Sequence, residues 1–419
     1  MPRSSPKTLL TPREATRAIL ADVPVLPVEH VPLLDARGRV LAERVTSPLD
    51  IPPWDNSSMD GYAVRGEDLQ AAGTTLTIVE TIPAGAFPAK PLSPGDCARV
   101  FTGAAVPEGA DCVIRQEHTT PLDEATIRID DLTDLGRNIR ARGEDIERDT
   151  VVFEPGTEIG PAQIGVLASL AHAEVAVHRI PRVAILASGD EIADLDERGA
   201  ILSGRKIASS NTYTMMAMAG DAGAEPANLG IALDDPLNLR QRLEGAVSAD
   251  IIVTSGAMSV GEHDHLRSML QQAGADMKFW RLKTRPGAPV GFGLLNGKPW
   301  LGLPGNPVST MVSFELFVRP AIRRLRGHRA LFRRTRVVRI GERISTPPRL
   351  THFLRVCVME EDGTRVVRLT GAQGSGILTS MAKADALLIV PEEVDELEVG
   401  ATATAILLNE PEHTETMPY

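Results

Sequence analysis

Cysteine is scarce: Cys97, Cys112 and Cys357 are the three thiols in 419 residues. An odd number of widely separated cysteines, in no metal-ligand spacing, argues against a disulfide framework and fits free thiols in a reducing compartment. No apolar run has the length of a signal peptide or a membrane span, so the expected location is the cytoplasm and no membrane partner is expected. Positive charge is in deficit too, with 44 Lys and Arg against 55 Asp and Glu and a formal net charge of -11. Such acidity argues against nonspecific nucleic-acid binding as the main activity, although a local basic patch can still receive a small anion. Internal repeats and long low-complexity tracts are also lacking. The 43% hydrophobic and 24% charged residues are ordinary for a folded chain, and the length suggests roughly two to four domains.

What the chain does have is a stretch from Pro299 to Ser309, Pro-Trp-Leu-Gly-Leu-Pro-Gly-Asn-Pro-Val-Ser, running from an apolar strand through a tight loop into an amphipathic helix. The first turn of a helix carries unpaired N–H groups and partial positive charge, so such a loop can cradle an anion. A strand-to-helix turn also favours Gly, Asn and Pro for geometric reasons alone. Val312, Leu316, Ala321 and Leu325 form the apolar stripe of the helix, with Phe314, Phe317 and Val318 beside it.

At the other end, Thr11 with Glu14 forms a capping box and Pro12 sits at the first helical position, ahead of the apolar face Ala15, Ala18 and Ile19. Val23 to Pro53 reads as extended segments and turns. Short alternating runs between Met59 and Asp131 read as a mainly β module, and Ala162 to Ala171 returns to a helical pattern, so the β module is inserted into a discontinuous first domain. After Pro181 the texture changes. Arg182 to Ala187 and Asp250 to Thr254 are buried strands separated by helical segments, which implies a parallel α/β sheet with its ligand outside the C-terminal strand ends. Both strands end in polar glycine loops, Ser188-Gly189-Asp190-Glu191 and Ser255-Gly256 through Asp264, and a third strand leads into Pro304-Gly305-Asn306-Pro307. Beyond Arg336, Val/Thr/Arg alternation suggests a small C-terminal β domain. The arginines from Arg319 to Arg336 read as a solvated helix end and linker.

Asp55-Asn56-Ser57-Ser58-Met59-Asp60-Gly61-Tyr62-Ala63 packs carboxylates, an amide and hydroxyls into one turn-rich segment. Phe101-Thr102-Gly103-Ala104 and Arg142-Gly143-Glu144-Asp145-Ile146 add a hydroxyl and an acidic pair. In Gly261-Glu262-His263-Asp264-His265 the spacing is poor for a soft metal, so the two histidines read as solvated loop residues. Hard oxygen ligands from Asp264 and Glu262 suit Mg²⁺ beside a phosphate.

Asp55 through Ala63, Phe101-Thr102-Gly103-Ala104, Ser188-Gly189-Asp190-Glu191, Thr254-Ser255-Gly256, Ser259-Val260-Gly261 and Gly302-Leu303-Pro304-Gly305-Asn306-Pro307-Val308-Ser309 occur in the order seen in the molybdopterin molybdotransferase family, which includes MoeA and the gephyrin E domain, and the chain resembles that family over nearly its whole length. The resemblance implies a homodimer of multidomain α/β plus β protomers. Residues 1–45 with 143–178 would form a discontinuous elongated domain, 46–142 an inserted β domain, 179–328 the molybdopterin-binding α/β domain and 329–419 a C-terminal β domain. It further implies that adenylylated molybdopterin and molybdate are substrates, that molybdenum cofactor and AMP are released, and that a divalent cation takes part. A molybdopterin-adenylylating enzyme and molybdoenzyme maturation factors are the further partners it suggests.

Carried over position by position, the family's acids fall on Asp60, Asp145, Glu191, Asp234 and Asp264, and its hydroxyl on Thr102. Substrate-binding positions fall on Ser188, Gly189, Asp190, Ser255, Gly256, Ser259, Gly261, Pro304, Gly305, Asn306, Pro307 and Ser309. The family's molybdate segment Lys-Pro-Gly-Lys-Pro reads here Arg285-Pro286-Gly287-Ala288-Pro289, with Arg355 and Ser375 supplying the remaining ligands. Ala288 removes an ammonium that would face the oxyanion, and Ser255-Gly256-Ala257-Met258-Ser259 departs from the commoner Gly-Gly-Val. Two other functions compete: a gephyrin-like scaffold dimer and a molybdopterin adenylyltransferase. Intact Asp60, Glu191 and Asp264 favour catalysis over the first, and the flanking domains with Arg355 and Ser375 favour metal insertion over the second.

Overall fold

The computed structural model describes residues 9–233, 235–256 and 274–409. Its first helix, Pro12–Asp22, begins as the sequence predicts: Glu14 N–H donates to Thr11 Oγ1 at 3.3 Å and Thr11 N–H donates to Glu14 Oε2 at 2.8 Å. Ala15 and Ile19 are fully buried in one cluster with Val183, Met215, Ile251, Phe317 and Leu325. Although near the start of the chain, this helix therefore packs on the α/β layer, where its apolar face finds its complement.

The chain then runs outward and returns. Val28–Pro32 pairs antiparallel with Glu174–His178, Val45–Thr46 pairs with Val151–Phe153, and Ile51 bridges Ile146. Between the outgoing and returning segments lies a six-stranded sheet ordered Cys112–Arg115, Gly61–Val64, Asp96–Val100, Thr75–Ile82, Thr126–Ile129, Thr119–Pro121. Successive residues of these strands enter opposite clusters, Tyr62, Cys97 and Ile114 one side, Ala63, Ala98 and Val113 the other, so both faces are covered. Helix Pro161–Ser169 completes the elongated domain by burying Leu167 with Leu41, Ile159 and Val177.

Four parallel strands, ordered Glu225–Ala232, Arg182–Ser188, Ile251–Ser255, Lys298–Leu303, form the centre of the α/β domain. The sequence implies an all-parallel sheet, but Gly291–Leu295 and Ala275–Phe279 extend it antiparallel. Asn296-Gly297 is the cause. Both residues have positive φ, 52° and 80°, which a two-residue hairpin turn requires, so Lys298–Leu303 is reached by a hairpin instead of a crossover.

Helix Pro307–Ser313 widens into a π-helical turn, Phe314–Val318, before Arg319–Leu325 resumes the α-helix. Pro320 has no N–H to continue the regular ladder, and the inserted residue accounts for the five-residue step from Leu316 to Ala321 in the apolar stripe. Val312, Phe314, Phe317, Val318, Ala321 and Leu325 all end up buried.

The last domain is a small closed barrel. Thr351–Glu361 pairs with both Thr364–Leu369 and Ala386–Val390, and Thr335–Ile340 and Thr402–Leu407 complete the ring around Val338, Val356, Val367 and Leu388. Thr284–Arg285 joins its edge from the α/β domain. Cys97 and Cys112 are buried free thiols, and burial pushes their pKa values up to about 12 and about 11, so both stay protonated. Among the described residues no helix is long and apolar enough to cross a membrane.

Candidate functional site

Three parallel strands end at one edge of the α/β sheet, and their loops enclose a cleft of about 590 Å³. Ser188 and Glu191 come from the first, Ser255 and Gly256 from the second, and Pro304, Gly305, Asn306 and Pro307 from the third. The loops approach closely because glycine permits it. Gly256 has φ 105°, and a Cβ there would lie 2.0 Å from the Ser188 carbonyl oxygen. Gly189, with φ 143°, makes room for the Glu191 carboxylate folded back over it. Asp190 is exposed in the same loop.

A residue absent from the sequence-based set holds these loops together. Asn211, in the first turn of helix Ser210–Asp221, donates Nδ2 to Ser255 Oγ at 2.8 Å and to Gly305 O at 2.7 Å. Ser255 Oγ donates in turn to Pro304 O at 3.1 Å. Ser209, Ser210 and Asn211 line the cleft, and the Ser-Ser-Asn-Thr start of that helix was the available local signal. The backbone cradle at Pro307 is narrower than the sequence implies. Pro307 lacks an N–H, Val308 N–H donates to Ser375 O at 3.0 Å and Thr310 N–H to Asn306 O at 2.9 Å.

A second pocket of about 440 Å³ adjoins the cleft, sharing Pro289, Pro304 and Asn306 with it. Arg285, Pro286, Gly287, Ala288, Ser309 and Ser375 line it together with Gln373 and Gly374. Asn306 Nδ2 donates to Ser375 Oγ at 3.1 Å, which ties the barrel to the α/β loop. Arg285 is exposed and lines this pocket. Arg355 sits behind the wall: it is 1% exposed, donating Nε to Ser380 Oγ and Nη2 to Gly374 O, both at 3.1 Å. Burial lowers the pKa of its guanidinium. Gln373 accepts from Arg355 N–H at 2.9 Å and donates to Arg355 O at 3.1 Å, clamping the wall to the strand.

Asp60 and Thr102 meet on the inserted sheet, away from the cleft lining. Thr102 N–H and Oγ1 donate to Asp60 Oδ1 at 2.8 and 2.9 Å, and these bonds lower the carboxyl pKa. Asp145 is exposed where the chain returns to the elongated domain, its N–H donating to Ile51 O at 3.0 Å. Asp234, Ser259, Gly261, Glu262 and Asp264, with His263 and His265, lie outside the described residues. Among the described residues no three His, Cys, Asp or Glu side chains converge as a metal cage. Mg²⁺ on a phosphate substrate draws most ligands from phosphate and water and needs one or two carboxylates, so the exposed Glu191 on the cleft wall fits that demand.

Residues 10–171 match the model of the MoeA N-terminal region (domain I and II), 184–324 that of a probable molybdopterin binding domain, and 337–408 that of the MoeA C-terminal region (domain IV). A molybdopterin molybdenumtransferase of Haemophilus influenzae is 33% identical over 403 residues, covering 94% of this chain and 98% of that one. One from Nostoc is 36% identical over 375 residues, covering 87% and 85%. The crystal structure of the molybdopterin biosynthesis MoeA protein of Pyrococcus horikoshii superposes with a TM-score of 0.80 at 29% identity, covering 96% of this chain and 100% of that one. With the N-terminal, molybdopterin-binding and C-terminal regions all present in order, the chain belongs to the MoeA family of molybdopterin molybdenumtransferases, transferases of molybdenum cofactor biosynthesis.

Proposed function

We propose that the chain inserts molybdenum from molybdate into adenylylated molybdopterin and releases AMP. The observation that carries this reading is the contiguity of the two pockets: a cleft sized for a pterin nucleotide opens through Pro289, Pro304 and Asn306 onto a smaller pocket bearing Arg285 and Ser375. The cleft holds the adenylylated pterin across the three strand ends, and the smaller pocket presents the oxyanion to the dithiolene. Cleavage of the phosphate anhydride then needs charge neutralisation and positioning more than covalent catalysis. A divalent cation would supply that neutralisation when bound, with Glu191 on the cleft wall and the acids Glu262 and Asp264 as its candidate ligands. Ser255, Gly256 and Asn306 orient the substrate. Arg355 and Gln373 keep the pocket wall in register, and Arg285 provides the directed positive charge.

The same reading makes the protein a cytoplasmic homodimer. Asp60, Thr102 and Asp145 line neither pocket, and in a dimer the inserted domain of one protomer would face the cleft of its partner. The division at residues 45/46, 142/143, 178/179 and 328/329 goes with it. Incubating the full chain with adenylylated molybdopterin and either molybdate or tungstate, while following AMP release and metal incorporation, tests the activity. Absence of oxyanion-dependent AMP release with both would sink it.

A further inference from the structure

The arginine-rich stretch singled out in the sequence serves neither pocket of the proposed reaction. In the fold, Arg319, Arg323, Arg333 and Arg334 converge with Phe332, Leu407 and Leu408 on a depression of about 530 Å³ between helix Arg319–Leu325 and the barrel. It shares no lining residue with the two pockets described above.

Charge is poorly balanced there. Buried Glu315 accepts from Arg333 Nε at 2.7 Å and lies 3.7 Å from Arg319 Nε, while half-exposed Glu158 reaches Arg323 Nη2 at 3.8 Å. Backbone carbonyls occupy other donors: Arg333 Nη1 donates to Leu408 O at 2.7 Å and Arg323 Nε to Ala330 O at 2.9 Å. Arg319 Nε is buried with no hydrogen-bond acceptor among the described residues. Burial lowers the pKa of Arg319 and of Arg323, and the charge on Arg333 acts in the same direction on both. Among the described residues, Glu315, Glu158 and the more distant Asp221 are the carboxylates that act on Arg319, Arg323 and Arg333, and one buried N–H waits for an acceptor.

We propose that this depression binds a compact polyanion of the phosphate class. Planar guanidinium forks match tetrahedral oxyanions through paired N–H groups, and a multiply charged oxyanion relieves the mutual repulsion that carbonyl dipoles leave in place. Exposed Phe332 and the Leu407-Leu408 edge supply an apolar flank. Free phosphate species and the terminal phosphates of a nucleotide share this chemistry. The site stands independently of the transfer reaction, since none of its residues takes part in that reaction.

Titration calorimetry of the full chain with inorganic pyrophosphate at fixed ionic strength tests it, with ADP as a second arm. Saturable binding that weakens at least about tenfold in Arg334→Ser and in Arg323→Gln, and is unchanged in the cleft variant Asn306→Ala, is expected. Arg334 is exposed, so its replacement leaves the fold intact. ADP binding more tightly than pyrophosphate identifies a nucleotide as the source, and equal or weaker binding identifies the free ion. Non-saturable heats, wild-type affinity retained in both arginine variants, or loss in Asn306→Ala alone overturns the proposal.

Discussion

Asn211 and Ser255 are 44 positions apart, yet Nδ2 of the first lies 2.8 Å from Oγ of the second, and the same amide nitrogen reaches Gly305 O. One side chain therefore sets the spacing of two strand-end loops in the cleft. Replacing Asn211 by Ala leaves both acceptors without this donor, at about 1 kcal/mol each. The expected result is a KM for adenylylated molybdopterin raised about tenfold, with a smaller change in kcat. Asn211→Asp should be worse than Ala, because a carboxylate faces the Gly305 carbonyl with no N–H to offer. Steady-state AMP release separates the two, and an Asp variant better than Ala would contradict the clamp.

Gly256→Ala places a methyl group 2.0 Å from the Ser188 carbonyl oxygen on a backbone with φ 105°. Backbone cannot give way there cheaply, so destabilisation on the order of 3 kcal/mol is expected, together with loss of turnover. Gly376→Ala is the matched control. Gly376 also lines the cleft, but its added Cβ meets nothing within 4 Å, and thermal melting should barely move.

The two arginines near the smaller pocket, the proposed oxyanion site, should fail differently. Arg285→Ala removes an exposed charge, so the molybdate requirement should rise strongly while melting stays put. Arg355→Ala also releases Gly374 O and Ser380 Oγ behind the pocket wall, so both molybdate dependence and melting temperature should worsen. Ala288→Lys should lower the requirement by restoring a cation on the pocket wall. Unchanged molybdate dependence in all three variants would place the anion elsewhere.

His328 gives a pH dependence with a defined sign. Burial first, then Arg323, Arg326 and Arg319, depress its pKa from 6.5 to about 3. The unfolded chain therefore binds the proton more readily, so native stability is complete above pH 6.5 and declines as pH falls toward 3. The slope is at most about 1.4 kcal/mol per pH unit. Chemical denaturation of the wild type and of His328→Gln between neutral and mildly acidic pH reads this directly: the variant should show the flatter profile. Parallel profiles would remove His328 as the cause.

A mixed-dimer assay tests the shared site. Asp60→Ala and Glu191→Ala subunits, each inactive alone, should regain roughly a quarter to half of the wild-type AMP release when exchanged into one dimer, since one of its two sites is then intact. No recovery after verified exchange would rule out the face-to-face arrangement.

The sequence by itself determined the local punctuation and the family. The Thr11/Glu14 capping box, the buried strands near Arg182 and Ile251, and the loop Pro304 to Pro307 follow from rules that act over a few residues, and the ordered motifs were specific enough to reveal the relationship. The five-residue step from Leu316 to Ala321 and the Asn296-Gly297 pair are local signals as well, but their meaning, a π-helical turn and an antiparallel hairpin, emerged only in the fold. Tertiary structure alone decided which residues share a wall. Asn211 has an ordinary helix-start context and becomes part of the site because the order of the parallel strands sets its helix beside Ser255 and Gly305. Arg355 has the charge of a pocket ligand, but strand register in the barrel turns its guanidinium toward Ser380 and Gly374, making it a support behind the wall. The arginines after Arg319 read as a solvated run until the helix and the linker fold them around Glu315. Dihedral preference and apolar period act between neighbours along the chain, whereas the convergence of donors is set by packing between segments far apart in sequence, and that packing creates the site.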